Sequence, residues 1–78
     1  MMLIDVRGLK HPEHIREFRN HFEGVCTVHE DVTVYLDDRT DDLKKFEMYI
    51  RMCNGKYKVH KENGYLRVNI SAPFSMCG

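Results

Sequence analysis

The sequence predicts an α/β fold of the α+β kind, a two-layer sandwich in which two helices cover one face of a four-stranded mixed sheet. Four segments alternate apolar and polar residues with the period of a β-strand, and two others repeat apolar residues with the period of a helix. An Asn-Gly pair joins the last two strand segments as a tight hairpin. The element order is β-α-β-α-β-β, and 78 residues leave room for one domain.

The first strand is predicted at residues 2–6, and a turn leads from it into the first helix. Pro12 has a fixed φ and no backbone N–H, which suits the first position of a helix. We therefore expect His11 to be the N-cap and Glu13 to lie in the first turn, where a carboxylate favours the helix dipole. Gly24 is expected to end the helix. Its apolar positions are Ile15, Phe18 and Phe22.

The second strand is predicted at residues 31–37, where Val32, Val34 and Leu36 share one side. Four carboxylates follow within residues 37–42. We interpret them as acids that complement the dipole of the second helix, with Asp38 or Thr40 as its cap, because the spacing does not match a calcium-binding loop. The apolar positions of this helix are Leu43, Phe46, Ile50 and Cys53.

The last two strands are predicted at residues 57–61 and 66–70 and pair antiparallel through Asn63-Gly64. The polar side of these strands indicates a sheet face open to water. We expect residues 1–71 to form the domain and residues 72–78 to be a flexible C-terminal tail.

Charge and hydropathy narrow the class of protein. Twelve basic and twelve acidic residues give a net charge of zero, so a strong field that would attract nucleic acid is absent. Lysines, arginines and tyrosines alternate within residues 44–67, and we interpret that pattern as a solvated sheet face. The longest apolar run, residues 1–4, is too short for a membrane span or a signal peptide. We expect a soluble cytoplasmic protein, a monomer or weak homodimer, with no membrane partner, no nucleic-acid partner and no cofactor.

The cysteines are Cys26, Cys53 and Cys77. Their odd number and long spacings argue against a disulfide framework. We expect Cys26 and Cys53 to be partly buried, and Cys77 to be an accessible thiol near the C-terminus.

Residues 5–14, here called the motif segment, read Asp-Val-Arg-Gly-Leu-Lys-His-Pro-Glu-His. With the following helix and an Asp-Asp pair after the second strand, this segment resembles the SirA/TusA-like sulfur-carrier family, over about residues 3–71. The resemblance implies a small β-α-β-α-β-β sandwich that accepts a persulfide from a cysteine desulfurase and passes it on. The family signature is D-x-R-G-L-x-C-P-x-P, which is matched at Asp5, Arg7, Gly8, Leu9 and Pro12.

Two positions depart from that signature, because His11 replaces the family's cysteine and His14 replaces its second proline. A thiol at a helix start faces unpaired N–H groups that lower its pKa, whereas an imidazole cannot carry persulfide sulfur. We therefore expect a non-catalytic protein-binding or regulatory module whose partner is a cysteine desulfurase or another sulfur-relay protein. The resemblance places the functional site at Asp5, Arg7, Gly8, His11, Pro12, Glu13 and His14.

Two alternatives stay open. The chain could be a sulfurtransferase-type persulfide carrier that uses Cys77 or Cys26 instead. It could also bind a metal through His11 and His14, which face the same side at i and i+3 and which the helix dipole keeps neutral. Two ligands fall short of a zinc site, so we interpret these histidines first as solvated residues near the helix start.

Overall fold

The structure, a computed structural model, describes residues 2–76. The described chain contains two helices and six strands, which confirms the predicted α+β class. In chain order they are β1 (Met2–Asp5), α1 (Glu13–Asn20), β2 (Thr27–Val28), β3 (Val32–Asp37), α2 (Thr40–Met52), β4 (Lys56–Lys61), β5 (Tyr65–Ser71) and β6 (Phe74–Ser75). Neither helix is long and apolar enough to cross a membrane, among the residues described.

The main sheet has four strands in the order β1-β3-β5-β4. β1 runs parallel to β3, with Ile4 opposite Val34, and the connection between them contains α1. β5 runs antiparallel to both β3 and β4, so that Val68 lies opposite Val34 and Val59. The mixed sheet and the closing hairpin are as predicted.

The core lies between one face of this sheet and the two helices. Ile4, Val34 and Val68 form a buried row across three strands. Phe18 from α1 and Phe46 from α2 meet edge to face above the sheet, with ring centroids 5.2 Å apart. Such aromatic pairs stabilise a core beyond the area that they bury. This packing sets the position of both helix starts.

The other face of the main sheet carries the alternate residues of the same strands. We call it the open face, because the register places polar and aromatic side chains there, opposite one another on neighbouring strands. Thr33 donates a hydrogen bond to Asn69 across β3 and β5 at 3.1 Å. The residues of the open face are Leu3, Asp5, Thr33, Tyr35, Asp37, Lys56, Lys58, His60, Tyr65, Arg67 and Asn69.

A second, two-stranded sheet pairs β2 with β6 and was not predicted, because two-residue strands show no alternation. Phe74 is buried and its ring lies 6.0 Å from that of Phe22. The backbone N–H of Met76 donates to the carbonyl of Cys26 at 2.7 Å. The described part of the predicted tail, residues 72–76, is therefore built into the fold, and residues 77–78 lie outside the described part.

The helix starts differ from the predictions. Pro12, not His11, is the N-cap of α1, because its backbone angles of −94° and 4° lie outside the helical range. The N-cap of α2 is the extended Arg39, and Thr40 is already helical. Asp38 forms an ion pair with Lys61 at 3.4 Å instead of capping. Neither helix has a side-chain capping hydrogen bond.

Candidate functional site

The motif segment connects the end of β1 to the first turn of α1. Asp5 is the last residue of β1, and Glu13 is the first residue of α1. The peptide bond between His11 and Pro12 is cis. His11 is exposed, whereas His14 is fully buried. The interpretation of both histidines as solvated is therefore wrong for His14.

Asp5 and Arg7 form a bidentate pair at the start of the segment. Arg7 donates from Nε to Asp5 Oδ1 at 3.0 Å and from a terminal nitrogen to Oδ2 at 2.8 Å. Its backbone N–H also donates to Oδ1 at 3.0 Å. These hydrogen bonds lower the pKa of Asp5 below 3.8 and raise the pKa of Arg7. Because both side chains are nearly half exposed, the pair orders the turn more than it stabilises the fold.

The middle of the segment is anchored at Gly8. Its backbone N–H donates to Oδ2 of Asp37, at the end of β3, over 2.8 Å. Gly8 has a φ of +89°, and a Cβ added there would meet nothing within 4 Å. Glycine is therefore required for the backbone conformation and not for space.

The end of the segment is anchored at His11, whose backbone N–H donates to Oδ1 of Asp42 in the first turn of α2 at 3.3 Å. Arg39 lies between the two anchoring acids, 3.4 Å from Oδ2 of Asp37 and 3.4 Å from Oδ2 of Asp42. We call Asp37, Arg39 and Asp42 the carboxylate clamp. Its two carboxylates accept hydrogen bonds from the N–H groups of Gly8 and His11. These N–H groups are therefore not available to an external anion.

The buried imidazole of His14 joins the two helix starts. Its Nε2 lies 3.0 Å from the backbone carbonyl oxygen of Asp42. Since a carbonyl oxygen can only accept, Nε2 carries the proton and donates. The other nitrogen, Nδ1, has no hydrogen-bond partner within residues 2–76. The rings of His11 and Phe46 lie 5.4 Å and 5.8 Å from that of His14.

His11 and His14 are the residues here that could offer nitrogens to a metal. Their rings meet at 82°, edge to face, and Nε2 of His14 already donates to Asp42. Across residues 2–76, no group of three or more histidine, cysteine, aspartate or glutamate side chains could hold a metal ion. No third ligand in that range completes the pair.

The cysteines lie away from the motif segment. Cys53 is buried after α2, and burial raises the pKa of its thiol. Cys26 is exposed and disulfide-bonded, so the expectation of a partly buried, unpaired Cys26 is wrong. Cys77, the other predicted carrier candidate, lies outside the described residues. Among residues 2–76, the helix start of α1 therefore has no free thiol beside it.

Two surface clefts lie elsewhere on the domain. The larger, of about 610 Å³, includes Arg16, Arg19 and Met76, and the smaller, of about 380 Å³, includes His21 and His29. Neither is lined by a residue of the motif segment.

The arrangement that sequence reasoning missed is the carboxylate clamp. The four acids of residues 37–42 were interpreted as capping and dipole residues, and the separation of 29 residues between Gly8 and Asp37 hides their contact in the sequence. No protein-family model, curated protein or solved structure matches this chain, so the comparisons assign it to no family.

Proposed function

We propose that this chain is a non-catalytic, SirA/TusA-like protein-binding module that docks proteins of sulfur-transfer pathways in the cytoplasm. The docking surface is the motif segment, whose exposed side chains include those of Lys10, His11 and Glu13. The partner is a cysteine desulfurase or another sulfur-relay protein. The resemblance of residues 5–14 to the family signature supports this choice of partner, because such carriers accept persulfide from a cysteine desulfurase at the cysteine of that signature.

One observation carries the proposal: the backbone of the motif segment is held in a fixed shape, yet the residue at the carrier position is His11. Gly8 and His11 are tied to Asp37 and Asp42, and Arg39 links the two acids. A surface that is ordered before binding loses less conformational entropy when it binds. A motif segment with a fixed backbone and no thiol at the carrier position supports recognition of a partner protein and not sulfur transfer.

The thiols within the described residues also argue against sulfur transfer. A carrier needs a thiol that is accessible and readily ionised. Cys53 is buried with a raised pKa, and Cys26 is held in a disulfide. Both settings oppose persulfide transfer.

Calorimetric titration of the chain with a purified cysteine desulfurase tests the proposal. We expect binding that His11→Ala weakens at least tenfold, as truncation of an interface side chain does. The matched control is His29→Ala, which removes an exposed histidine outside the motif segment. Unfolding curves of both variants must overlay that of the wild type.

Equal affinity of the His11→Ala and His29→Ala variants would place the binding surface elsewhere. Absence of binding to desulfurases and to the carrier proteins downstream of them would remove the sulfur-relay partner from the proposal.

A further inference from the structure

The end of the described chain is hydrogen-bonded to the backbones of two cysteines. The N–H of Ser75 donates to the carbonyl of Cys53 at 2.9 Å, and the N–H of Met76 donates to the carbonyl of Cys26 at 2.7 Å. We call residues 74–76 the strap. The strap therefore connects the segment before β2 to the end of α2, where Cys53 follows the last helical residue.

The two cysteines that the strap contacts differ in reactivity. Cys26 is exposed and disulfide-bonded, and it lines the larger surface cleft, of about 610 Å³. Cys53 is free and 5% exposed. A thiolate from solution attacks an accessible disulfide readily, whereas a buried thiol is protected from reagents. This part of the domain thus holds one sulfur that is open to attack and one that is shielded.

The number of cysteines identifies the partner of Cys26. The sequence contains three, and Cys53 is free, so pairing within one chain leaves Cys77. Thr27 lies opposite Ser75 in the antiparallel β2–β6 sheet. Cys26 precedes Thr27 in the sequence, and Cys77 comes shortly after Ser75. Antiparallel pairing brings residues that flank a pair in this way toward the same end of a sheet, which suits a disulfide between them.

The noncovalent contacts of the strap are few. Phe74 is buried and lies opposite Val28, with its ring 6.0 Å from that of Phe22. A two-residue strand makes few ladder hydrogen bonds, so opening it locally costs much less free energy than global unfolding. A disulfide limits such opening, because it removes conformational freedom from the open chain. The attachment of the strap therefore depends strongly on the disulfide of Cys26.

We propose that Cys26 pairs with Cys77 and that dithiol protein reductants cleave this disulfide, which releases the strap and exposes the thiol of Cys53. A thiolate of the reductant attacks Sγ of Cys26, the bond to Cys77 breaks, and the sulfur of Cys77 leaves as a thiolate and takes up a proton. The second thiol of the reductant then displaces Cys26 from the mixed disulfide. The reductant loses two electrons and becomes a disulfide, and both cysteines of the chain become thiols. This reaction is independent of the proposed docking function of the motif segment.

Peptide mass mapping of the unreduced full chain tests the pairing. We expect a linked peptide that contains Cys26 and Cys77, and we expect thioredoxin, supplied with its reductase and NADPH, to remove the link from the native protein. Two chains linked through Cys26 would overturn the proposal. A link that resists thioredoxin until the chain is unfolded in urea would also overturn it.

The rate at which a maleimide labels Cys53 tests the release of the strap. With Cys26 and Cys77 paired, Cys53 is the one thiol of the oxidised chain, and it is also the one thiol of the Cys26→Ser/Cys77→Ser variant. We expect labelling to be about tenfold faster or more in this variant, because its strap opens more often. Val25→Ser is the control, since it changes an exposed neighbour of Cys26 and keeps the disulfide. Equal rates in the double variant and the wild type would overturn the proposal.

Hydrogen exchange of the oxidised and reduced wild-type chain decides the matter if the double variant fails to fold. We expect the amides of Ser75 and Met76, which donate to the two cysteine carbonyls, to lose protection on reduction. The amides of β3 should keep theirs. Unchanged protection of the strap, or an equal loss in β3, contradicts a local release.

Discussion

The imidazole of His14 donates to the backbone carbonyl of Asp42 at 3.0 Å and so joins the first turns of the two helices. The carboxylate of the same Asp42 accepts the N–H of His11 at 3.3 Å. Both histidines of the motif segment thus contact one residue of α2. The shape of the proposed docking surface depends on the packing of α2 as much as on the sequence of the segment itself.

Asp42→Ala should destabilise the fold and loosen the motif segment. The substitution leaves the N–H of His11 without its acceptor and removes one of the two carboxylates beside Arg39. We expect a loss of about 1–3 kcal/mol in the free energy of unfolding, measured with urea. Asp41→Ala is the control, because Asp41 is exposed in the same helical turn and should cost less than about 1 kcal/mol. Equal losses would mean that Asp42 acts through the helix dipole alone.

His14→Ala should be far more destabilising than His11→Ala. His14 is 0% exposed and packs 5.8 Å from the ring of Phe46, whereas His11 is exposed. Removal of a buried ring leaves a cavity, and we expect a loss of about 2–4 kcal/mol for His14→Ala. His11→Ala should change the free energy of unfolding by about 0.5 kcal/mol or less. A small effect of His14→Ala in thermal or urea unfolding would contradict the buried position of this ring.

Asp5 should titrate below its ordinary pKa of 3.8, because Arg7 donates hydrogen bonds to its carboxylate. Carboxyl carbon chemical shifts recorded against pH measure this value. Arg7→Gln should return the pKa toward 3.8. Because the folded pKa is lowered, the contribution of Asp5 to stability is present above pH 3.8 and is lost as the pH falls below it. An unchanged pKa in Arg7→Gln would show that the pair does not form in solution.

Tyr49 should make the fold sensitive to alkali. Burial raises the pKa of Tyr49 from 10.0 to about 12. Since the folded pKa is the higher one, the contribution of the neutral phenol is complete below pH 10.0 and is lost as the pH rises to about 12. The urea midpoint should fall over this range, and it should fall less in Tyr49→Phe. Absorbance titration that placed the ionisation of Tyr49 near pH 10 would contradict the prediction.

The fold could be predicted from the sequence because its main elements carry strong periodic signals. Val32, Val34 and Leu36 alternate through a whole strand, and Asn63-Gly64 allows the tight turn between β4 and β5. The strands β2 and β6 carry no such signal, because each has two residues and is stabilised by Phe74 packing on Phe22.

The candidate site was only partly predictable. Its position followed from the resemblance of residues 5–14, but the carboxylate clamp depends on contacts between residues far apart in the chain. Burial of His14 has the same cause, since its partner Asp42 lies 28 residues away. A buried imidazole needs a hydrogen-bond partner, and here that partner is a carbonyl oxygen far away in the sequence. The local sequence pattern around the histidine therefore does not predict its burial.

The proposed function depends on His11, which stands where the signature that residues 5–14 resemble has a cysteine. The most direct measurement is the intact mass of the reduced chain after incubation with a cysteine desulfurase and cysteine, beside a carrier domain that has the motif cysteine. We predict that the mass of this chain stays unchanged while the control gains one sulfur atom. A stoichiometric gain of sulfur on this chain, abolished by Cys77→Ser or Cys26→Ser, would contradict the binding-module account and establish a carrier with a displaced thiol.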